Sequence, residues 1–460
     1  MTDEAVVSGE LTSDYWRSRR DQLFYASCIA LIVTAMSFAI RGSLIAPLGA
    51  KFGLTKEQLG LITGTAFWGF ALSTIIGGWL CDVVGMRTLL ILAFVGHAVG
   101  IVTTIFATSF ATLFLGTLAF GLANGFVEAA CNPLIATLYP DEKIKRLGQF
   151  HMWFPGGIVI GGLLAFFIGN AKIGGDDNWK VQMLTMVVPL AIYGFMFMGK
   201  KFPATERTAS GVTMGQMFAA CFTPLYIILL ICMSMSAATE LVTGQWMPDI
   251  LTFTTGYAGI LFLCLINGLM AIGRMFAGEV VHRVSPIGML IVSSIFSAIG
   301  MFLLTRANSV PSAMLAAVVF AVGVCFFWPT MLGVVSERFP KTGALGMAII
   351  GGVGSISTAI WLPIVGHFYD AGITKALPAG KTVELLKAAT PGTADAQAWA
   401  QAQAEGGRTG LGILVYLPVI LLVIFIAIYM YDKSRGGYQK VVLASPQPGA
   451  EEAPVLAGRP

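Results

Sequence analysis

Twelve long apolar segments, spread along almost the whole chain, set the strongest limit on how this protein can fold. Each has about 20 residues or more, the length that an α-helix needs to cross the ~30 Å hydrocarbon core of a bilayer. They lie near 24–46, 57–80, 88–107, 110–138, 146–169, 180–199, 218–244, 254–279, 286–305, 310–338, 343–368 and 409–431. Charged residues make up only 11% of the 460 positions, against roughly 25% in soluble domains, so lipid is the expected solvent. The sequence predicts an all-α membrane protein with twelve transmembrane helices.

The cations in the connecting segments predict how the helices are oriented. With the N-terminus in the cytosol, sixteen lysines and arginines fall in cytosolic connections and nine in outer loops. This bias follows the positive-inside rule. The polar residues 1–22 precede the first apolar run and do not resemble a cleavable signal peptide. We therefore expect a multi-pass protein of the cell membrane, of the bacterial inner-membrane kind, with both termini in the cytosol.

The chain resembles itself at an offset of about 199 residues. Met36-Ser-x-Ala-x-Arg41 in the first apolar segment aligns with Met235-Ser-x-Ala-x-Glu240 in the seventh. Two six-helix halves of this kind enclose a site near the midplane of the bilayer. The expected division is an N-terminal tail 1–22, a first bundle 23–199, a cytosolic linker 200–216, a second bundle 217–432 with an external loop 371–408, and a C-terminal tail 433–460.

Several classes of function have no support in the composition. The seven cysteines lie singly inside apolar segments, which indicates packing residues rather than a metal site or disulfide framework. No basic block with interleaved aromatic residues is present, so nucleic acid is not an expected partner. No nucleophile, base and orienting group cluster in a polar setting, so we expect no enzyme activity and no cofactor. Two fused halves favour a monomer.

The connection between the second and third apolar segments carries a specific motif. It reads Gly78-Trp-Leu-Cys-Asp82-Val-Val-Gly85-Met-Arg87. This resembles the G-x3-D-x2-G-x-R signature of the major facilitator superfamily, a class of secondary carriers. The resemblance implies that Asp82 and Arg87 form a cytosolic latch between the halves, with Arg274 in the equivalent zone of the second half. Glycine at such positions permits a close approach and a tight turn.

The fourth segment narrows the resemblance further. Gly125-Phe-Val-Glu128-Ala-Ala-Cys-Asn132-Pro133 is similar to a pattern of the fucose–galactose–glucose:proton symporter family. That resemblance implies a proton-coupled monosaccharide symporter in which Glu128 and Asn132 line the cavity. The chain departs from the family in the first segment, where Arg41-Gly42 stands in place of an Asn-Asp pair. The second acid is therefore missing, and a cation lies beside its position.

Three ionisable residues fall inside the apolar segments: Arg41, Glu128 and Glu240. Such residues are costly in hydrocarbon and usually face a cavity or a partner. We expect the three to share one chamber, where two carboxylates around one arginine leave a surplus negative charge that favours binding a proton. Glu128, Glu240 and His151 are the candidate proton-coupling groups, although sodium is a possible coupling ion.

The substrate is expected to contact Arg41, Glu128 and Glu240 together with polar or flat side chains on the neighbouring segments. These are Asn132, Gln149, Trp153, Gln245, Trp246 and Asn267. A second hypothesis gives Arg41 a different role, that of clamping the carboxylate or phosphate of an anionic sugar derivative or organic acid. The two hypotheses differ in whether a glutamate already neutralises Arg41. Multidrug export and a non-transporting sensor are weaker alternatives.

Overall fold

The computed structural model describes residues 14–54, 56–257, 259–390 and 392–443, and every regular element in these ranges is helical. Eleven helices are long and apolar enough to cross a membrane, and a shorter apolar helix, Gly259–Met275, completes the expected twelve. In chain order they are α1 Asp14–Lys51, α2 Lys56–Val84, α3 Met86–Ile105, α4 Phe110–Leu138, α5 Pro140–Asn170, α6 Gly175–Phe197, α7 Pro224–Thr255, α8 Gly259–Met275, α9 Pro286–Arg306, α10 Val310–Arg338, α11 Pro340–Ala376 and α12 Ala394–Ser434.

The last two helices are longer than the sequence suggested. Helix α11 continues to Ala376, and α12 begins at Ala394, so the connection between them is shorter than the loop expected over 371–408. A short helix, Val383–Lys387, lies between them. The linker is also partly helical, with a turn at Glu206–Ala209 and a helix at Met214–Cys221.

The helices themselves repeat between the two halves. Helices α4 and α10 both have 29 residues, and both begin after a capping box, at Ser109 in the first half and at Ser309 in the second. A side-chain oxygen at this position satisfies an amide at the start of a helix, which matters in a medium without water. Gly85 and Ser285, which precede α3 and α9, have φ of 84° and 66°. The correspondence supports the internal repeat found in the sequence.

Helices from the two halves pack against each other along two seams. Helix α2 lies against α11, and α5 lies against α8 and α10. Many large apolar side chains face outward, such as Phe195 at 72% and Phe222 at 74% exposure. An apolar outer surface of this kind is suited to lipid. The interface between the halves is therefore where a polar site can be enclosed.

Candidate functional site

A cavity of about 1280 Å³ lies between the two halves. Helices α1, α2 and α5 line it on one side, and α7 and α8 line it on the other. Its lining includes the exposed residues Lys51, Lys172 and Asp176, so it reaches the surface at the end of the molecule that carries residues 171–176. We call this the rim end. The opposite end, which carries Asp82 and the linker, is called the terminal end.

Arg41 lines the cavity and is 7% exposed. Its Nε donates to the carbonyl oxygen of Ser37 at 3.0 Å, and its Nη1 donates to that of Thr117 at 3.1 Å. No carboxylate in the described ranges lies within 4.0 Å of the guanidinium. Arg41 shares the cavity with Glu240 but not with Glu128, so the chamber expected for all three is formed only in part, and Arg41 is held by backbone carbonyls rather than by a glutamate.

Aromatic rings form the wall of the cavity next to Arg41. The ring of Phe38 lies 5.8 Å from that of Phe67 and 5.9 Å from that of Phe154, and all three line the cavity. Phe38 precedes Arg41 by three residues, which places both side chains on one face of α1. The cavity thus combines a fixed cation with a flat apolar surface.

Glu240 also lines the cavity, but its partner is Arg274 rather than Arg41. Glu240 Oε1 lies 3.0 Å from Arg274 Nη2. Arg274, 1% exposed, also donates from Nε to the carbonyl oxygen of Cys325 at 2.7 Å and from Nη1 to that of His151 at 3.0 Å. Arg274 is therefore buried in a pair with Glu240, and its described partners do not include the Asp82 and Arg87 of the expected latch.

A π-helical turn, Ala238–Val242, carries Glu240 within α7. Such turns widen the helix locally and occur often at functional sites. The sequence offered no signal for this turn, because the pairing of Met36–Arg41 with Met235–Glu240 implies similar helical geometry in both halves. The irregular backbone is thus a difference between the repeats at the residues that carry charge.

Glu128, Asn132 and His151 form a separate buried group. Asn132 Nδ2 donates to Glu128 Oε2 at 2.6 Å, and Asn132 Oδ1 lies 3.0 Å from His151 Nε2. The distance from His151 Nε2 to Glu128 Oε2 is 3.9 Å. None of the three is among the described residues that line the cavity. The expectation that Glu128 and Asn132 line it is corrected, because their side chains face each other and His151.

Of the other residues that were expected to contact the substrate, some line the cavity and some do not. Gln245 and Asn267 line the cavity. Gln149 accepts a hydrogen bond from Arg146, Trp246 stacks on Tyr369 with 5.6 Å between ring centroids, and neither lines the cavity. Trp153 is also outside the set of described lining residues. Periodicity alone could not tell which face of each helix turns toward the cavity.

The signature motif lies at the terminal end, with a different partner for Asp82 than expected. Arg207 of the linker donates from Nε to Asp82 Oδ2 at 2.8 Å, and Thr205 Oγ1 donates to Asp82 Oδ1 at 2.5 Å. Arg87 is exposed and has no ion pair within the described part of the chain. The expected contact between Asp82 and Arg87 is therefore replaced by one between Asp82 and the linker.

Glycine is needed at the two glycine positions of the motif for different structural reasons. A Cβ at Gly78 would lie 2.1 Å from the Cβ of Ala348 in α11, so only glycine permits this contact between the halves. Gly85 has φ of 84°, a backbone conformation that residues with a Cβ rarely adopt. The close approach and the tight turn that the motif implied are found at Gly78 and Gly85, respectively.

The linker makes a second ion pair at the terminal end, with Lys143. Lys143 Nζ lies 2.6 Å from Glu206 Oε2 and donates to the carbonyl oxygen of Ser336 in α10 at 3.2 Å. Lys143 is 4% exposed. Residues 205–207 of the linker thus contact side chains from the first half that themselves lie against the second half. We call these contacts the linker clasp.

A membrane protein built from two six-helix halves, with a cavity between them open at one end and closed by ion pairs at the other, has the architecture of a membrane carrier. The chain belongs to the Major Facilitator Superfamily, whose family model matches residues 27–362. It is a transporter, and not an enzyme, by that membership.

Curated relatives include carriers of different solutes. The chain is 27% identical to "Probable anion transporter 6, chloroplastic" of Arabidopsis thaliana over 36% of its own length and 32% of that protein. It is 28% identical to "D-xylose-proton symporter-like 2" of the same plant over 31% of its length and 27% of that protein. The chain thus spans about a third or less of these relatives. It is 22% identical to "Gentisate transporter" of Corynebacterium glutamicum over 73% of its length and 78% of that protein.

Solved structures confirm the fold. The outward conformation of the transporter FucP matches with a TM-score of 0.63 at 15% identity, covering 86% of this chain and 98% of that one. Identity at this level shows a shared architecture and carries no information about the substrate.

Proposed function

We propose that the protein carries an organic carboxylate across the membrane and that the guanidinium of Arg41 binds the carboxylate group. The observation that carries this proposal is the buried cavity-lining Arg41, which has two backbone carbonyls as partners and no carboxylate within 4.0 Å in the described ranges. A buried charge without a counter-ion is costly, so an anionic substrate supplies what the site lacks. Guanidinium groups bind carboxylates through two parallel hydrogen bonds. The names of the anion and gentisate relatives support this substrate class.

Uptake into proteoliposomes tests the role of Arg41. A panel of radiolabelled carboxylates and neutral monosaccharides should show saturable uptake of a carboxylate by the wild type. Arg41→Gln should reduce that uptake by roughly a hundredfold, because one charge-assisted pair contributes roughly 1.5–3 kcal/mol and leaves the substrate charge buried when it is lost. The matched control is Arg306→Gln, since Arg306 is an exposed arginine outside the cavity. Carboxylate uptake that Arg41→Gln leaves unchanged would contradict the proposal.

We further propose that transport is coupled to protons through Glu128. Its carboxylate is 4% exposed, and its nearest partners are an amide at 2.6 Å and the imidazole of His151 at 3.9 Å. No lysine or arginine of the described ranges lies within 4.0 Å of this carboxylate, and burying an ionised carboxylate without a close cation is costly, so we expect it to bind a proton when the cavity is closed. His151, bonded to Asn132, is placed to exchange that proton. Glu240 is neutralised by Arg274 and is assigned to the substrate rather than to the proton.

Separating uphill transport from exchange tests this second role. Glu128→Gln preserves the shape of the side chain and removes the titratable group. We expect it to abolish accumulation driven by an imposed pH gradient while counterflow of labelled substrate continues. Accumulation equal to that of the wild type would show that Glu128 does not couple protons, and a sodium gradient is then the next driving force to test.

Proton-coupled symport of a neutral monosaccharide is the second candidate function. It is supported by the resemblance of residues 125–133 to the sugar symporter pattern and by the xylose-proton symporter-like relative. The same uptake panel separates the candidates, because a neutral sugar should not depend on the charge of Arg41. We also propose that the rim end faces the outside of the cell, with both termini in the cytosol and the protein acting as a monomer.

A further inference from the structure

One oxygen of the Glu240 carboxylate is buried without a partner among the described residues. Its Oε1 is bound by Arg274, while Oε2 is buried and has no hydrogen-bond partner among the described residues. The side chain is 9% exposed and lines the cavity. Buried polar atoms are almost always paired, so an orphan acceptor at a binding cavity indicates that a donor from the ligand completes it.

The charge of Glu240 defines which kind of donor fits. Arg274 lies 3.0 Å from this carboxylate, and a carboxylate in its ionised form only accepts hydrogen bonds. The pair is neutral as a whole, so a second cation is not required there. A neutral hydroxyl group satisfies Oε2 without placing another charge in the site.

Asn267 adds a second polar group on the same side of the cavity. Its Nδ2 donates one N–H to the carbonyl oxygen of Leu263 at 2.9 Å, which leaves the second N–H to donate and the side-chain oxygen to accept. Asn267 also lines the cavity. A hydroxyl group can therefore donate to Glu240 Oε2 and accept from Asn267, whereas Arg41 of the first half only donates.

We propose that the substrate is a hydroxylated monocarboxylate that bridges the two halves, with its carboxylate on Arg41 and a hydroxyl on Glu240 Oε2 and Asn267. This rests on the proposed function of Arg41. The interior charges favour a monoanion, since no carboxylate of the described residues lies within 4.0 Å of Arg41, whereas Glu240 is balanced by Arg274. At the mouth, Lys51 pairs with Asp177 at 3.0 Å, and Lys172 and Asp176 are exposed to solvent. A ligand that contacts both halves at once is also one that draws them together.

Matched pairs of ligands test the inference on the purified full-length protein. The pairs are gluconate with hexanoate and 4-hydroxybenzoate with benzoate, which differ only in hydroxyl groups. Dissociation constants are measured from intrinsic tryptophan fluorescence or from the shift of the unfolding temperature. In at least one pair, the wild type should bind the hydroxylated member roughly tenfold or more tightly, because a hydrogen bond to an ionised group is among the strongest in proteins.

Two variants on the second half then show which residues recognise the hydroxyl. Asn267→Leu removes the amide group, and Glu240→Gln replaces the carboxylate with an amide that can present a donor in place of Oε2. Each should bring the ratio of the two dissociation constants within a pair toward one. The affinity for the member without the hydroxyl should change little. Asn267→Leu leaves the Arg274 pair intact and keeps the test valid if Glu240→Gln does not fold.

The possible results separate this inference from the proposed function. Equal affinity within both pairs, or a preference that both variants leave unchanged, overturns the inference while binding that requires Arg41 still supports a carboxylate carrier. Carboxylate binding that Arg41→Gln does not weaken, or no binding of any of the four ligands, overturns both. Tighter binding of the hydroxylated member that is lost in Asn267→Leu supports both.

Discussion

At the scale of single residues, the charges inside the membrane are sorted into three groups with different partners. Arg41 is held by carbonyl oxygens at 3.0 and 3.1 Å, Glu240 is paired with Arg274, and Glu128 is bonded to Asn132. The repeat predicts similar depth for Arg41 and Glu240, but depth does not decide pairing. Which pair forms depends on the direction of each side chain, and the π-helical turn at Glu240 alters that direction.

Arg274 should be the residue of this centre whose loss costs most stability. Arg274→Ala removes hydrogen bonds to three helices and leaves Glu240 buried without its cation. Breaking a buried ion pair by removing one partner costs roughly 3–5 kcal/mol. We expect a clear fall in the unfolding temperature in detergent, whereas Arg306→Ala at an exposed site should leave it unchanged. An unfolding temperature equal to that of the wild type would mean that Glu240 finds another partner.

At the scale of elements, the linker closes the terminal end. The sequence identified the linker by its composition and Asp82 by its motif, but it gave no means of pairing Asp82 with Arg207, 125 residues away. The motif concerns a local loop, whereas the partner is set by how the linker crosses between the halves. Lys143 is one of the sixteen cations assigned to cytosolic connections from the sequence, and its contact with Glu206 follows from the same crossing.

The linker clasp should favour the conformation that is open at the rim end. Lys143→Glu or Glu206→Lys places like charges against each other, and we expect each to lower the population of this conformation several-fold. The double exchange should restore it, because the ion pair is rebuilt with reversed signs. Spin labels at Lys172→Cys and Tyr257→Cys, both exposed at the rim end, measure the distance between the halves. Distance distributions that are identical in all variants would exclude a conformational role for the clasp.

At the scale of the whole molecule, the sequence predicted the architecture well and the site only in part. The number of helices, the repeat and the superfamily follow from long-range regularities of apolar length and motif spacing. Of the residues expected to contact the substrate, Arg41, Glu240, Gln245 and Asn267 line the cavity. Glu128, Asn132, Gln149, Trp153 and Trp246 are not among its described lining residues, because helices that are apolar all round give no sign of which face is turned inward. The aromatic wall was missed for the same reason, although Phe38 lies one turn from Arg41.

The central claim is that Arg41 holds the carboxylate of the substrate inside the cavity. A cryo-electron microscopy structure of the protein with a transported carboxylate measures this most directly. The account predicts both carboxylate oxygens within about 3 Å of the Arg41 guanidinium, the distance of a charge-assisted hydrogen bond. A carboxylate bound elsewhere, with Arg41 turned onto a glutamate of the protein, would contradict it.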